Sequence, residues 1–130
     1  IWAIIKKNSR VTLIEKVEKK VVFLRNIVGI LNLTKNVEVK KVDISSIREF
    51  QKFDIIASRA FADPVSFLLL TKKLAKKNSS WLLMTTSKKI KLLEASFLKN
   101  NNFKINKNIQ YSKEHFNDRL LLWVSQINGK

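Results

Sequence analysis

The chain of 130 residues is the length of one ordinary domain, long enough to bury a core without disulfide or metal staples. It has no cysteine, one histidine (His115) and two glycines (Gly29 and Gly129), which excludes thiol nucleophiles, Cys- or two-His metal sites and a Gly-rich phosphate loop within these residues. With 45% hydrophobic and 28% charged residues and a net charge of +16 it reads as a folded, basic domain, and no apolar run approaches the ~20 residues of a membrane span.

Val11-Thr12-Leu13-Ile14 is a β-rich apolar run too short for a helix, and it predicts a buried strand. Val17, Val21, Leu24, Val28 and Leu31 then recur at helical spacing, with Lys19, Lys20 and Arg25 on other faces. Asn32 and Asn36 bracket a turn, and Val37-Glu38-Val39 alternates as the next strand. A loop or short helix over 45–49 leads to a second buried strand over 53–57. Asp63-Pro64 predicts a helix start, because Asp caps free amides and Pro lacks an N–H that the first turn would leave unpaired. Phe67, Leu70 and Leu74 carry that stripe to a cationic end at Lys72, Lys73, Lys76 and Lys77. Residues 81–84 predict a strand, and Ser87 opens a helix with Ile90, Leu93 and Phe97 inward, stopped by Asn100-Asn101-Asn102. Phe103, Ile105, Ile109 and Tyr111 keep a two-residue period, broken at Lys107, as in a half-exposed strand. Residues 120–124 predict a final buried strand.

Strands alternating with helices specify an α/β fold, a mainly parallel sheet with helices on both faces. Two successive strands at the end add an antiparallel edge hairpin. There is no internal repeat or linker, so residues 1–130 read as a single domain. The chain opens on Ile1 with neither Met nor a signal pattern, and reads as the later part of something longer.

In open α/β sheets ligands bind at the carboxyl ends of the strands. Glu15 ends the first strand, where a carboxylate can accept two hydrogen bonds from ribose hydroxyls. Asp43-Ile44-Ser45, Ser58-Arg59 and Thr85-Thr86-Ser87 follow the next three strands. Taken singly, Glu15 reads as a solvated carboxylate in a first helical turn, Arg59 as a surface arginine and Thr85-Thr86-Ser87 as a polar turn with a helix cap. Their joint position at strand ends favours a site. His115 beside Glu114 is a poor general base, since it falls in a polar loop. The charge favours a nucleic-acid partner. All but five of the cations are lysines, however, which attract phosphate backbones more than they read bases, and abundant Lys, Ile and Asn also suit an AT-rich coding sequence.

The stretches Val11-Thr12-Leu13-Ile14-Glu15-Lys16 and Ser58-Arg59-Ala60-Phe61-Ala62, with Asp118-Arg119-Leu120, resemble the glucose-inhibited division protein B family along essentially the whole chain. That family comprises ribosomal RNA small subunit methyltransferases. The resemblance implies a Rossmann-like methyltransferase fold, S-adenosylmethionine as cofactor and 7-methylguanosine formation in 16S ribosomal RNA, in the cytoplasm and without a metal or membrane partner. It also implies that Glu15 holds the cofactor ribose, that Ile44 and Ser45 flank its adenine, that Arg59 faces the methionine carboxylate or the RNA, and that Phe61 packs under this loop. Ser45 departs from the family's usual carboxylate, and Thr85-Thr86 stands where the family has Lys-Gly. The family's first strand and Gly-rich loop are expected upstream of Ile1, which would be part of the helix after that loop. No side chain is assigned as catalytic, because the sulfonium is already activated and the enzyme chiefly aligns the reactants. The expected RNA contacts are Lys88, Lys89, Lys91 and Lys113, with the Lys72 to Lys77 group at the opposite edge. Two other readings are a non-catalytic, basic RNA-binding remnant of the family and an NAD-type enzyme, in which the Ser-Arg-Ala-Phe-Ala stretch has no role.

Overall fold

In the computed structural model, which describes residues 1–59, 63–110 and 118–127, the chain falls into two units, Ile1–Arg48 and Glu49–Lys130. The first holds helix α1 (Trp2–Ile5), strand β1 (Val11–Glu15), helix α2 (Glu18–Ile30), strand β2 (Val37–Lys41) and a 3₁₀ turn (Ile44–Ser46). β1 and β2 are parallel, in register from Val11 opposite Val37 to Glu15 opposite Lys41. Val21 and Val28 are the buried positions of α2. Val17 and Leu31, expected on its inner stripe, are exposed instead, because they fall at the N-cap and C-cap where the chain leaves the helix. Asn32 follows with φ 54°, a left-handed conformation that Asn tolerates beyond a helix end. Ala3, Val28 and Val37 form a small core, with Val11, Leu13, Leu33 and Val39 packed against it. β1 is half-buried along its length and not fully buried as expected, since among the described residues it pairs only with β2.

The second unit runs strand β3 (Phe53–Arg59), helix α3 (Pro64–Thr71), a 3₁₀ turn (Lys72–Leu74), strand β4 (Ala75–Thr85), helix α4 (Ser87–Ile90), helix α5 (Ala95–Asn100), strand β5 (Phe103–Gln110) and strand β6 (Leu120–Gln126). The sheet order is β3-β4-β6-β5. β3 and β4 are parallel, and β6 runs antiparallel to both β4 and β5. The expected terminal antiparallel pair is therefore present, with β5 on the edge and the last strand inserted next to β4. The break in period at Lys107 is a register shift between Ile105 and Lys107.

Two elements differ from their expected bounds. The helix from Pro64 ends at Thr71, and Lys76 and Lys77 lie in a β4 that starts at Ala75. Buried Ser79 explains this: its hydroxyl accepts from the Lys76 amide at 2.7 Å and donates to the Phe53 carbonyl at 2.6 Å, stitching a long irregular start of β4 onto β3. The helix expected from Ser87 to Asn100 is two short helices. Turn bonds from the Leu92 amide to Lys89 O and the Leu93 amide to Ile90 O close the first, and Glu94 is extended at φ −65°, ψ 149°.

Trp81 is the centre of this unit's core. Its ring meets Phe103 edge-on at 5.3 Å, and Phe103 stacks on Phe97 of α5 at 6.1 Å. The buried indole N–H donates to Thr71 Oγ1 at 2.9 Å, and that hydroxyl donates to the Phe67 carbonyl at 2.7 Å, so both polar groups are satisfied. These contacts bring α3 and α5 to one face of this unit's sheet. The reason is handedness: β3 to β4 and β4 to β5 advance in the same direction across the sheet, so right-handed crossovers deliver both helices to one side. On the opposite face Ile55 (46%), Met84 (49%), Trp123 (44%) and Ile109 (41%) remain exposed. For the same reason β3 buries only Ile56, although its apolar run suggested a strand buried on both faces.

Candidate functional site

The candidate residues fall at the carboxyl ends of strands, those of β1 and β2 in the first unit and of β3 and β4 in the second, and the carboxyl ends are where parallel α/β sheets present their ligand-binding loops. In the first unit Glu15 is the last residue of β1. Its Oε1 accepts from the backbone amides of Lys16 at 2.9 Å and Val17 at 3.0 Å. The turn into α2 is thus held by a side chain, which matters because Val17 at the N-cap offers no capping group of its own. The Val17 amide chiefly, helped by the Lys16 amide and the Lys20 and Lys16 charges, holds the Glu15 carboxyl below its ordinary pKa against the opposing cost of desolvation. Oε2 has no hydrogen-bond partner among the described residues, which leaves one charged oxygen available to an incoming donor.

After β2, Asp43 caps the 3₁₀ turn. Its Oδ1 accepts from the Ser45 amide at 2.9 Å and the Ser45 hydroxyl at 2.6 Å, while the Ser46 hydroxyl donates to the Asp43 carbonyl. Both donors of Ser45 are thereby engaged within the turn. Ile44 is partly buried and Ser45 is exposed.

In the second unit, Ser58 and Arg59 are the last two residues of β3, opposite Leu83 and Met84 of β4. Successive strand residues face opposite ways, so Ser58 shares the α3 side with Leu83 while Arg59 shares the open face with Met84. The Arg59 guanidinium has no partner among the described residues and is exposed. Phe61, which the resemblance places under this loop, lies outside the described residues. Asp63 caps α3, Oδ1 accepting from the Ser66 amide at 2.7 Å. That bond, with the Ser66 hydroxyl and at longer range Lys89, depresses its pKa.

After β4, Thr86 caps α4 by accepting from the Lys89 amide at 3.3 Å, the cap that the sequence suggests. The Ser87 amide and hydroxyl donate to Asp118, just ahead of β6. No spacing in the sequence points to this tie across 31 positions. Lys88 and Lys91 are exposed and Lys89 is partly buried; Lys113, Glu114 and His115 lie outside the described residues. Lys72 and Lys76, by contrast, have structural partners. Lys72 Nζ donates to the Asn101 carbonyl at 2.9 Å and sits 5.3 Å from the Phe103 ring centre. Lys76 pairs with Asp54 at 2.9 Å. Among the described residues no helix is long and apolar enough to cross a membrane.

An open-edged α/β unit of parallel strands closed by an inserted antiparallel one is shared with methyltransferases of known structure. A SAM-dependent methyltransferase from Aquifex aeolicus superposes with a TM-score of 0.70 at 18% identity, covering 95% of this chain and 72% of that one. A ribosomal protein L11 methylase from Lactobacillus delbrueckii subsp. bulgaricus gives 0.73 at 13%, covering 92% and 58%. The fold is therefore the Rossmann-like one of S-adenosylmethionine-dependent methyltransferases. Residues 1–121 match the family model GidB, rRNA small subunit methyltransferase G, and the chain belongs to that family. It is similar to proteins named ribosomal RNA small subunit methyltransferase G from Brachyspira hyodysenteriae, 38% identical over 90% of this chain and 55% of that protein, and from Mycoplasma capricolum subsp. capricolum, 36% identical over 93% and 53%. The relative from Polynucleobacter asymbioticus is 41% identical over 57% of this chain. The chain spans about a third to a half of the length of these relatives.

Proposed function

We propose that residues 1–130 belong to a single methyltransferase domain that methylates ring nitrogen seven of a guanine in 16S ribosomal RNA, as part of a longer cytoplasmic protein. The observation that carries this reading is the family match over residues 1–121. The side chains present fit S-adenosylmethionine at the ribose: Glu15 offers an ionised carboxylate, kept charged by two backbone amides, with one oxygen free to accept from hydroxyls. The Ile44 to Ser45 turn would flank the adenine through its apolar and backbone surface, since the Ser45 hydroxyl and amide are engaged by Asp43. Arg59, exposed and without a partner among the described residues, would meet a carboxylate or a phosphate with its planar fork. When bound, the cofactor supplies a methyl group on an activated sulfonium, so this chain's residues need only bind, orient and exclude water. Lys88, Lys89 and Lys91 beside the end of β4 would attract the RNA backbone, and Lys113 is proposed with them.

The test is methyl transfer by the full-length protein from labelled S-adenosylmethionine to small-subunit RNA, offered free and as the ribosomal particle, followed by nucleoside analysis. Label in 7-methylguanosine is the expected result. Label in another nucleoside would overturn the site of methylation. RNA binding without any transfer would favour a non-catalytic, RNA-binding member of the family.

A further inference from the structure

The carboxyl ends of β3 and β4 meet the first turn of α3 around a notch lined by Ser58, Asp63, Pro64, Phe67, Leu83 and Thr85. It leaves about 10 Å³ for the centre of a water molecule, close to what one buried water needs. Thr85 Oγ1 is buried and has no hydrogen-bond partner among the described residues. Folded proteins rarely leave such an oxygen unpaired, because its hydration is lost with nothing in return. By strand alternation Thr85, Leu83 and Ser58 all face the α3 side. Asp63 adds a carboxylate that already accepts from the Ser66 amide and hydroxyl and faces the Val65 amide, and with about four lone-pair sites it can accept one bond more. Three polar groups thus line one water-sized space whose other walls are apolar.

We propose that Thr85 Oγ1 holds one structural water in this notch, shared with Ser58 and the Asp63 carboxylate. The water ties the end of β4 to the cap of α3. It thereby fixes the end of β3 and the cap of α3 against the end of β4, and makes Thr85 a positioning residue for that corner of the unit. The inference stands on the notch and does not depend on methyl transfer.

Two measurements on the full-length protein test it. A high-resolution crystal structure should show a water oxygen within about 3.2 Å of Thr85 Oγ1. Thr85→Val keeps the shape and removes the hydroxyl, and should lose that density and lower Tm by roughly 3–6 °C. Thr85→Ser should keep the water. An empty notch in the unsubstituted protein would overturn the proposal. So would Thr85→Val with an equal or higher Tm, the result for a hydroxyl that was dry and unpaired. If Thr85→Val fails to fold, the density in the unsubstituted protein decides.

Discussion

Glu15 does two jobs with two oxygens, and the pair of substitutions at this residue separates them. Glu15→Gln keeps an acceptor for the Lys16 and Val17 amides but removes the charge. It should weaken S-adenosylmethionine binding to the full-length protein by about 1.5–3 kcal/mol, tenfold or more in Kd, while lowering the melting temperature only slightly, by the loss of the charge that the Lys16 and Val17 amides favour. Glu15→Ala should reduce both. Calorimetry finding equal affinity in Glu15→Gln and the parent would assign the carboxylate to the loop alone. Asp63 and Glu15 also set an acid limit. Both have folded-state pKa values below their ordinary ones, so their contribution is complete above the ordinary carboxylate range and disappears as pH falls through the depressed values. Asp63→Ala should cost about 1 kcal/mol near neutrality and flatten the acid side of a stability–pH curve. In the core, Thr71→Val strands the Trp81 indole N–H and should cost about 1–3 kcal/mol in denaturant unfolding, with Thr71→Ser much milder. At this scale the Asp63-Pro64 cap and the Thr86 cap were legible, because capping needs only a residue type and a position. The partners of Thr71, Ser79 and Asp118 were not, since those contacts join residues that only the fold brings together.

The elements themselves followed from apolar periodicity, and where they deviate a polar contact intervenes. The stripe Phe67, Leu70, Leu74 has helical spacing past Thr71, yet Ser79 recruits the following residues to β3 and β4 begins at Ala75. Between Ser87 and Asn100 the spacing of Ile90, Leu93 and Phe97 suits one helix, but the chain opens at Glu94 so that Phe97 can reach Phe103. α5 has only six residues, and Lys72 supports its end by donating to the Asn101 carbonyl while lying over Phe103. Lys72→Ala should therefore destabilise the protein by about 1–2 kcal/mol, whereas exposed Lys77→Ala should be within about 0.5 kcal/mol of neutral, as thermal unfolding of both variants will show.

For the molecule as a whole, a charge of +16 suits the proposed RNA partner but does not say where an RNA would lie. The structure narrows the candidates by showing which lysines are already occupied. Lys72 and Lys76 have partners in the fold, while Lys88 in α4 and Lys91 at its C-cap are exposed. Replacing Lys88, Lys89 and Lys91 with Gln in the full-length protein should weaken RNA binding and reduce the slope of log K against log salt by up to about three phosphate contacts. Replacing Lys72, Lys73 and Lys76 should act mainly on stability. Equal loss of affinity from the two sets would make the charge a diffuse attraction. The fold class was legible here because strand–helix alternation is a global pattern. The one-sided placement of α3 and α5 was not, since it depends on the direction in which successive strands are added.

The position of β6 also governs when the second sheet can close. β5 pairs with β6 and not with β4, so a growing polypeptide displays β4 and β5 with no hydrogen-bonded neighbour between them until residues 120–126 have left the ribosome. Up to that moment the row Leu83, Trp81 and Phe103 has no Leu122 or Val124 to pack beside it. Closure of this half therefore waits for the last strand to be translated. A nascent chain arrested before Leu120 should be digested by protease throughout 75–110, and one extended past Gln126 and clear of the exit tunnel should resist.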